Sequence, residues 1–188
     1  VDYLTNETLF SLDKVPQSMI VKGGGAIACE MAQAFARLGC KVSLIQRSKH
    51  ILSKLDPAGA EIVEESLRRD GVALYTGRLA KSVRKEGGEI VLTTDQGEEV
   101  RAEKILEAVG RRHDYAALKL ENAGVKLNKN GSINVNRYLQ TSQKHIYAVG
   151  DCNGHHLFSH AAMHQGMIAI MNSMMPWPMK RDFTRYAV

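Results

Sequence analysis

The sequence predicts an α/β fold in which a parallel sheet is joined to an antiparallel meander, and three observations carry that prediction. A short apolar stretch, Met19 to Val21, runs into Gly23-Gly24-Gly25-Ala26-Ile27-Ala28 and then into a helical pattern from Cys29 to Leu38. Strand-like and helix-like periods alternate from there to Tyr75. The period then changes to that of short strands separated by glycine-containing turns.

Taken in order, residues Val1 to Lys14 form a lead-in, with Thr5 as a cap and Leu4, Leu9, Phe10 and Leu12 as apolar anchors. Val15-Pro16 punctuates it before the first strand. The first helix stops at Gly39, and Lys41 to Ile45 is the second strand. Asp56-Pro57 opens a second helix that runs to about Arg69, with Pro at an early position and Ile62, Val63 and Leu67 as its apolar stripe. Gly71 ends it, and Val72 to Tyr75 make a third parallel strand. Leu79 to Lys85, Glu89 to Thr94 and Glu98 to Ala102 form the meander, turning at Gly87-Gly88 and Asp95-Gln96-Gly97. Lys104 to Val109 returns as a strand that ends at Gly110-Arg111. These elements make one domain, residues 14–112. Beyond it Tyr115 to Ala123 reads as a short helix, and Gly124 to Val135 as a polar stretch turning at Asn130-Gly131. Ile146 to Val149 reads as a strand, and His156 to Met175 as a Met-rich helix stopped by Pro176-Trp177-Pro178.

The glycines read G-x-G-x-x-A, and strand, glycine turn and helix in that order are the context of a Rossmann-like dinucleotide fingerprint. Gly23 allows the tight turn, Gly25 lets the backbone approach a pyrophosphate, and Ala28 permits close packing of helix on sheet. Ala26 and Ile27 complete the turn, and the helix N-terminus favours phosphate charge. An acidic residue about 20 positions past the glycines holds the ribose hydroxyls of NAD or FAD. Here the second strand ends in Gln46-Arg47-Ser48-Lys49, with no acid before Asp56. A guanidinium at that place grips a 2′-phosphate, which favours NADPH over NADH. The competing reading leaves Arg47 stacked on an adenine or pointing into water.

Bulk properties exclude several classes. The chain has 188 residues, 44% hydrophobic and 24% charged, so it holds one large domain or two small ones. No apolar run approaches the ~20 residues that cross a bilayer, which argues against a membrane protein. The net charge of +5 is dispersed, with no basic stripe or interleaved aromatics, which argues against nucleic acid and suits an anionic cofactor. Cys29, Cys40 and Cys152 form no C-x-x-C pair, a sparse usage that fits a reducing cytoplasm.

Gly150 and Asp151 close the stretch Ile146-Tyr147-Ala148-Val149, placing a carboxylate after a glycine where it can accept hydrogen bonds from a sugar or sugar-alcohol hydroxyl. Thr141 to Asp151 resembles the second flavin-binding motif of the pyridine nucleotide-disulfide oxidoreductases, and Ala108-Val109-Gly110-Arg111 matches a further family motif. Glu30 to Gly39 is especially similar to mercuric reductases. The resemblance spans essentially all of the chain and implies an NAD(P)-binding domain with part of an FAD-binding domain.

Under that resemblance residues 1–13 lead in from the FAD domain, 113–180 are its C-terminal segment, and 181–188 begin a dimerisation domain. The missing initiator Met and missing first flavin motif then suggest a piece of a longer polypeptide. The parent is implied to be a homodimer binding FAD and NAD(P)H, passing hydride from nicotinamide to flavin, then to a cysteine pair and on to substrate. Gly23, Gly25, Ala26, Ile27 and Ala28 fall on the pyrophosphate turn. Glu30 falls near the flavin–nicotinamide contact, where its implied role is to pair with an upstream lysine. Gly110 falls at the nicotinamide end, and Gly150 and Asp151 on the flavin ribityl and pyrophosphate. Mercuric ion, dihydrolipoamide and other disulfides all remain open as acceptors.

There are departures. Ala26 replaces a Tyr that gates the nicotinamide pocket in many members, and Ser53 replaces a second phosphate-binding Arg. His113-Asp114 replaces Pro-Asn, Leu157 to Ala162 departs from a flavin-contacting stretch, and Glu107 puts a charge in a usually apolar strand. His156, His160 and His164 have helical spacing that could hold Zn or Cu beside His155 and Cys152, but spacing alone supplies no metal geometry; lining the edge of the flavin pocket is the preferred reading. A self-standing module that senses NAD(P)H without catalysis is the alternative function.

Overall fold

The computed structural model describes residues 1–110, 114–176 and 182–185, so Arg111, His113 and Trp177-Pro178 lie outside the described residues. The chain divides into two compact units, Val1–Arg111 and Arg112–Val188.

The first unit is built on β1 (Ser18–Lys22), an inner strand of a parallel sheet with order β3-β2-β1-β7. Its partners are β2 (Lys41–Gln46), β3 (Ala73–Thr76) and β7 (Lys104–Glu107). Met19, Ile20 and Val21 are all fully buried because both faces of the strand are covered. Met19 and Val21 share a core with Leu44, Leu67, Leu106 and the helix α1 (Ala26–Arg37). Ile20 faces the other way, into a second core with Ile45, Ile105 and the meander residues Ile90, Leu92, Val100 and Ala102. That meander is a separate sheet of β4 (Ala80–Glu86), β5 (Glu89–Thr94) and β6 (Glu99–Ala102) in the order β4-β5-β6.

The helices start and stop where local chemistry directs. α1 begins at Ala26, earlier than its apolar pattern indicated, and buries Ala28, Cys29 and Ala32. Beyond Gly39 the chain turns back, with Cys40 N donating to the carbonyl of Phe35 at 3.0 Å. Asp56 caps α2 (Pro57–Arg69), its carboxylate accepting from Ala58 N at 2.9 Å, and Val72 N donates to Leu67 O at 3.0 Å beyond Gly71. Of the expected stripe on α2, Leu67 is buried and Val63 packs half-buried against the core, with Ala60 and Glu64 completing the buried face, whereas Ile62 is 69% exposed. One residue is enough to rotate Ile62 off the core face at 100° per position.

The lead-in packs on this unit. Leu4 N donates to Ile105 O, Glu107 N donates to Leu4 O, and Leu9 is buried, whereas Phe10 is 77% exposed and is not an anchor. β7 ends at Glu107, short of the expected Val109: Ala108 N still donates to Lys22 O, and the chain bends at Val109.

Glu107 has a structural reason. Register places it opposite Lys22, whose Nζ donates to both carboxylate oxygens at 2.9 and 3.2 Å, with side chains 32% and 29% exposed. Each charge is tolerated in its strand because the other lies beside it.

In the second unit α3 (Ser159–Met174) begins three residues later than expected, so His156 is not helical and the three-histidine face does not form. The described residues contain no group of three His, Cys, Asp or Glu able to hold a metal. His160 stacks on Phe158, and the ring of His155 meets Phe183 edge-on. Met163, Met167 and Met174 are exposed on this helix. The expected Tyr115–Ala123 helix is a single 3-10 turn, Ala116–Leu118, ended by Lys119 in the left-handed region. The expected strand at Ile146 to Val149 reduces to one antiparallel bridge, Gln140 to Tyr147. Thr141 N donates to Ile146 O and Ala148 N to Leu139 O, while Ile146 N turns back to Gln143 O and Ala148 O accepts from the Asn153 side chain, so the pairing stays short. None of the helices among the described residues is long and apolar enough to cross a membrane.

Replacing Glu107 by Leu alone is expected to cost about 1–2 kcal/mol by stranding Lys22, and the pair Lys22→Ile with Glu107→Leu to recover most of it. Urea unfolding of the four-member cycle measures both.

Candidate functional site

At the carboxyl edge of the parallel sheet, β1 passes into the glycine turn. Gly23 has φ of +126°, and a Cβ there meets the carbonyl oxygen of Ala108 at 2.3 Å, so only glycine fits. Gly24 sits under the Gln46 side chain, where a Cβ meets Gln46 Cδ at 2.7 Å. Gly25 differs: a Cβ there meets nothing within 4 Å, so open space faces this residue. Gly25 is also the N-cap of α1, with no side-chain cap, and the first intrahelical bond is Cys29 N to Gly25 O. The N–H groups of Ala26, Ile27 and Ala28 therefore have no intrahelical acceptor. Ala26 and Ile27 are exposed while Ala28 is fully buried against the sheet. A turn forced close on one side and open on the other, with unsatisfied N–H groups at a helix start, is suited to an anionic group.

The neighbouring loop is tied to this turn. Leu52 N donates to Gly24 O at 2.6 Å, and Ile51 N donates to the Glu64 carboxylate at 3.1 Å. Glu64 is itself buried and also takes Arg68 at 3.3 Å. Arg47 is the first residue beyond β2. The carbonyls flanking it are held, Gln46 O by Arg78 N and Ser48 O by Gly77 N. Its exposed guanidinium makes no ion pair or hydrogen bond with another described residue. Gln46 and Glu64 escape sequence reading because neither belongs to the glycine pattern; an acid buried on a helix facing a loop has no local signature.

Glu30 is exposed on the first turns of α1, beside buried Cys29. Burial, with Glu30 and Glu64 nearby, pushes the Cys29 thiol up to about 11, and burial pushes Cys40 up to about 11 as well. Burial also raises Cys152. All three cysteines are free and stay protonated near neutrality. Gly110, with φ of +151°, meets open space on the same unit.

In the second unit Gly150 opens a 3-10 turn, Gly150–Asn153, that contains half-buried Asp151. Gly150 has φ of +76°, and a Cβ would meet Cβ of Ala162 on α3 at 3.0 Å, so the turn lies tightly against the helix. The carbonyl of Cys152 accepts from the Tyr115 hydroxyl at 2.9 Å and from Ile133 N at 2.8 Å. The predicted residues thus fall into two groups, Gly23 to Glu30 with Arg47 and Gly110 in one unit, Gly150 and Asp151 in the other.

The chain resembles known proteins along most of its length. The profile of the family described as pyridine nucleotide-disulphide oxidoreductase matches residues 1–166. A mercuric reductase of Staphylococcus aureus is 38% identical over 177 residues, 93% of this chain and 32% of that protein. A dihydrolipoyl dehydrogenase of Bacillus subtilis is 36% identical over 167 residues, 88% of this chain and 36% of that protein. The solved structure of LpdA from Mycobacterium tuberculosis superposes with a TM-score of 0.83 at 32% identity, covering 91% of this chain and 37% of that one. A flavoprotein disulfide reductase of Escherichia coli, RclA, shares the fold with a TM-score of 0.90. This chain spans about a third of the length of the curated relatives it matches.

Two outcomes follow from the site's geometry. Gly23→Ala is expected to cost about 3 kcal/mol or more, through backbone strain and the Ala108 clash, whereas Gly25→Ala costs only about 1 kcal/mol as a changed cap; thermal unfolding separates them. Because the folded thiols of Cys29 and Cys40 titrate above their ordinary value of 9.0, stability is fully present below pH 9 and falls as pH rises toward 11. Melting temperatures recorded across that window should fall less steeply in the Cys29→Ala and Cys40→Ala variants.

Proposed function

The chain belongs to the pyridine nucleotide-disulphide oxidoreductase family, and from that premise we propose that it is the nucleotide-binding part of an FAD-dependent NAD(P)H oxidoreductase. The single observation that carries the nucleotide assignment is the open first turn of α1 behind Gly23, where unsatisfied N–H groups meet empty space at Gly25. Gly23, Gly25, Ala26, Ile27 and Ala28 hold the pyrophosphate there, and Gly110 borders the nicotinamide. Glu30 contributes its carboxylate one helical turn along. Gly150 and Asp151 hold the flavin, the carboxylate accepting from ribityl hydroxyls. When bound, the nicotinamide supplies a hydride and the flavin accepts it.

Arg47 takes the 2′-phosphate of NADPH. Three facts support this: its backbone is pinned on both sides, its guanidinium is exposed, and no carboxylate stands at the end of β2 to bind ribose hydroxyls. The parent is a longer, homodimeric polypeptide that supplies the remaining flavin-binding and dimerisation segments, and its thiol chemistry resides outside this chain. Free, protonated cysteines support a reducing, cytoplasmic setting. No nucleic acid or membrane partner is part of this reading.

The test is a parallel titration of this chain with NADPH and NADH, followed by nicotinamide fluorescence. NADPH is expected to bind at least about ten times tighter, a difference of about 1.4 kcal/mol, and Arg47→Glu to erase the gap. Tighter NADH binding would overturn the Arg47 assignment.

A further inference from the structure

Gln165 occupies an unusual place for an amide. It lies on α3 and is 1% exposed, among the largest fully buried side chains of the molecule. Its Oε1 accepts from Gly150 N at 2.8 Å and from Asn153 Nδ2 at 2.7 Å. A main-chain N–H can only donate, so the atom it meets must be the amide oxygen, which settles the orientation of the Gln165 amide. Asn153, itself 2% exposed, is oriented independently: its Nδ2 also donates to Ala148 O at 3.1 Å, and its Oδ1 accepts from His155 N at 3.1 Å. The two amides therefore grip the turn from Ala148 to His155 at three backbone positions around Asp151, namely Ala148 O, Gly150 N and His155 N. Gly154 N closes the same turn on Asp151 O at 3.0 Å.

Packing alone does not account for Gln165. An apolar side chain fills such a position without the cost of a buried polar group. The glutamine also carries Nε2, which has no acceptor among the described residues, a second buried polar end that a filling role does not require. What the amide uniquely provides is one oxygen placed between two donors of the turn.

We infer that Gln165 is the positioning residue of the flavin-contact turn, acting through Gly150 and Asn153 to hold Asp151 in place for the cofactor; this rests on the assignment of Asp151 to the flavin proposed above. The amide oxygen, rather than the volume of the side chain, is the operative group. A glutamate keeps an acceptor at that point and an alanine does not.

The experiment measures FAD affinity and the visible flavin spectrum in the full-length protein that carries this chain, after removal and re-addition of FAD. Gln165→Ala, Gln165→Glu and Asp151→Ala are compared with the parent. The expected result is that Gln165→Ala and Asp151→Ala each weaken FAD binding about ten-fold or more, while Gln165→Glu stays within about three-fold and keeps the parent's spectrum. If Asp151→Ala weakens binding and Gln165→Ala does not, the inference is overturned and the flavin assignment stands. Equal loss in Gln165→Ala and Gln165→Glu also overturns it, because an acceptor oxygen would then not be what matters. If Asp151→Ala changes nothing, the flavin assignment fails and this inference falls with it.

Discussion

Burial of β1 on both faces is the constraint on which the first unit depends. A strand whose residues Met19, Ile20 and Val21 are all removed from water cannot be covered from one side. It requires α1 on one face and the meander on the other, and it draws β2 and β7 alongside to satisfy its backbone. The alternation of side chains then sorts the whole unit, Leu44 and Leu106 toward the helices, Ile45 and Ile105 toward the meander.

The same constraint builds the site. β1 and β7 lie side by side up to Lys22 and Glu107, so the next residue of each chain arrives at nearly the same place, and Gly23 presses on the carbonyl of Ala108. That contact leaves the opposite side of the turn open at Gly25, where α1 begins with its N–H groups unsatisfied. The loop after β2 is drawn to the same turn by Leu52 and held from behind by Glu64, which brings the segment beginning at Arg47 into register with the glycines. Long-range packing thus places groups that are far apart in the chain at one edge of the sheet.

In the second unit a polar constraint takes over. The turn bearing Asp151 is not supported by a strand ladder, since the segment before it makes only one bridge. It is supported by two buried amides and by the close approach of Gly150 to Ala162. Buried amides are directional where apolar packing is not, so a short turn can be held in one geometry without regular secondary structure around it.

The sequence by itself determined the order of elements in the first unit, the glycine turn, the capped start of α2 and the absence of an acid after β2. Each of these is written in neighbouring residues, through the strand and helix periods, Gly and Pro punctuation, and Asp56 before Pro57. Only the tertiary structure decided what joins residues distant in the chain. It paired Glu107 with Lys22 across 85 positions, turned Ile62 outward and Glu64 inward, and set Gln165 beneath Gly150. It also withdrew the strand at Ile146 to Val149 and the histidine face at the start of α3. The reason is physical: a local pattern states which residues prefer to be buried or turned, but the partner that covers a face, answers a charge or accepts a hydrogen bond is supplied by chain folded up from elsewhere.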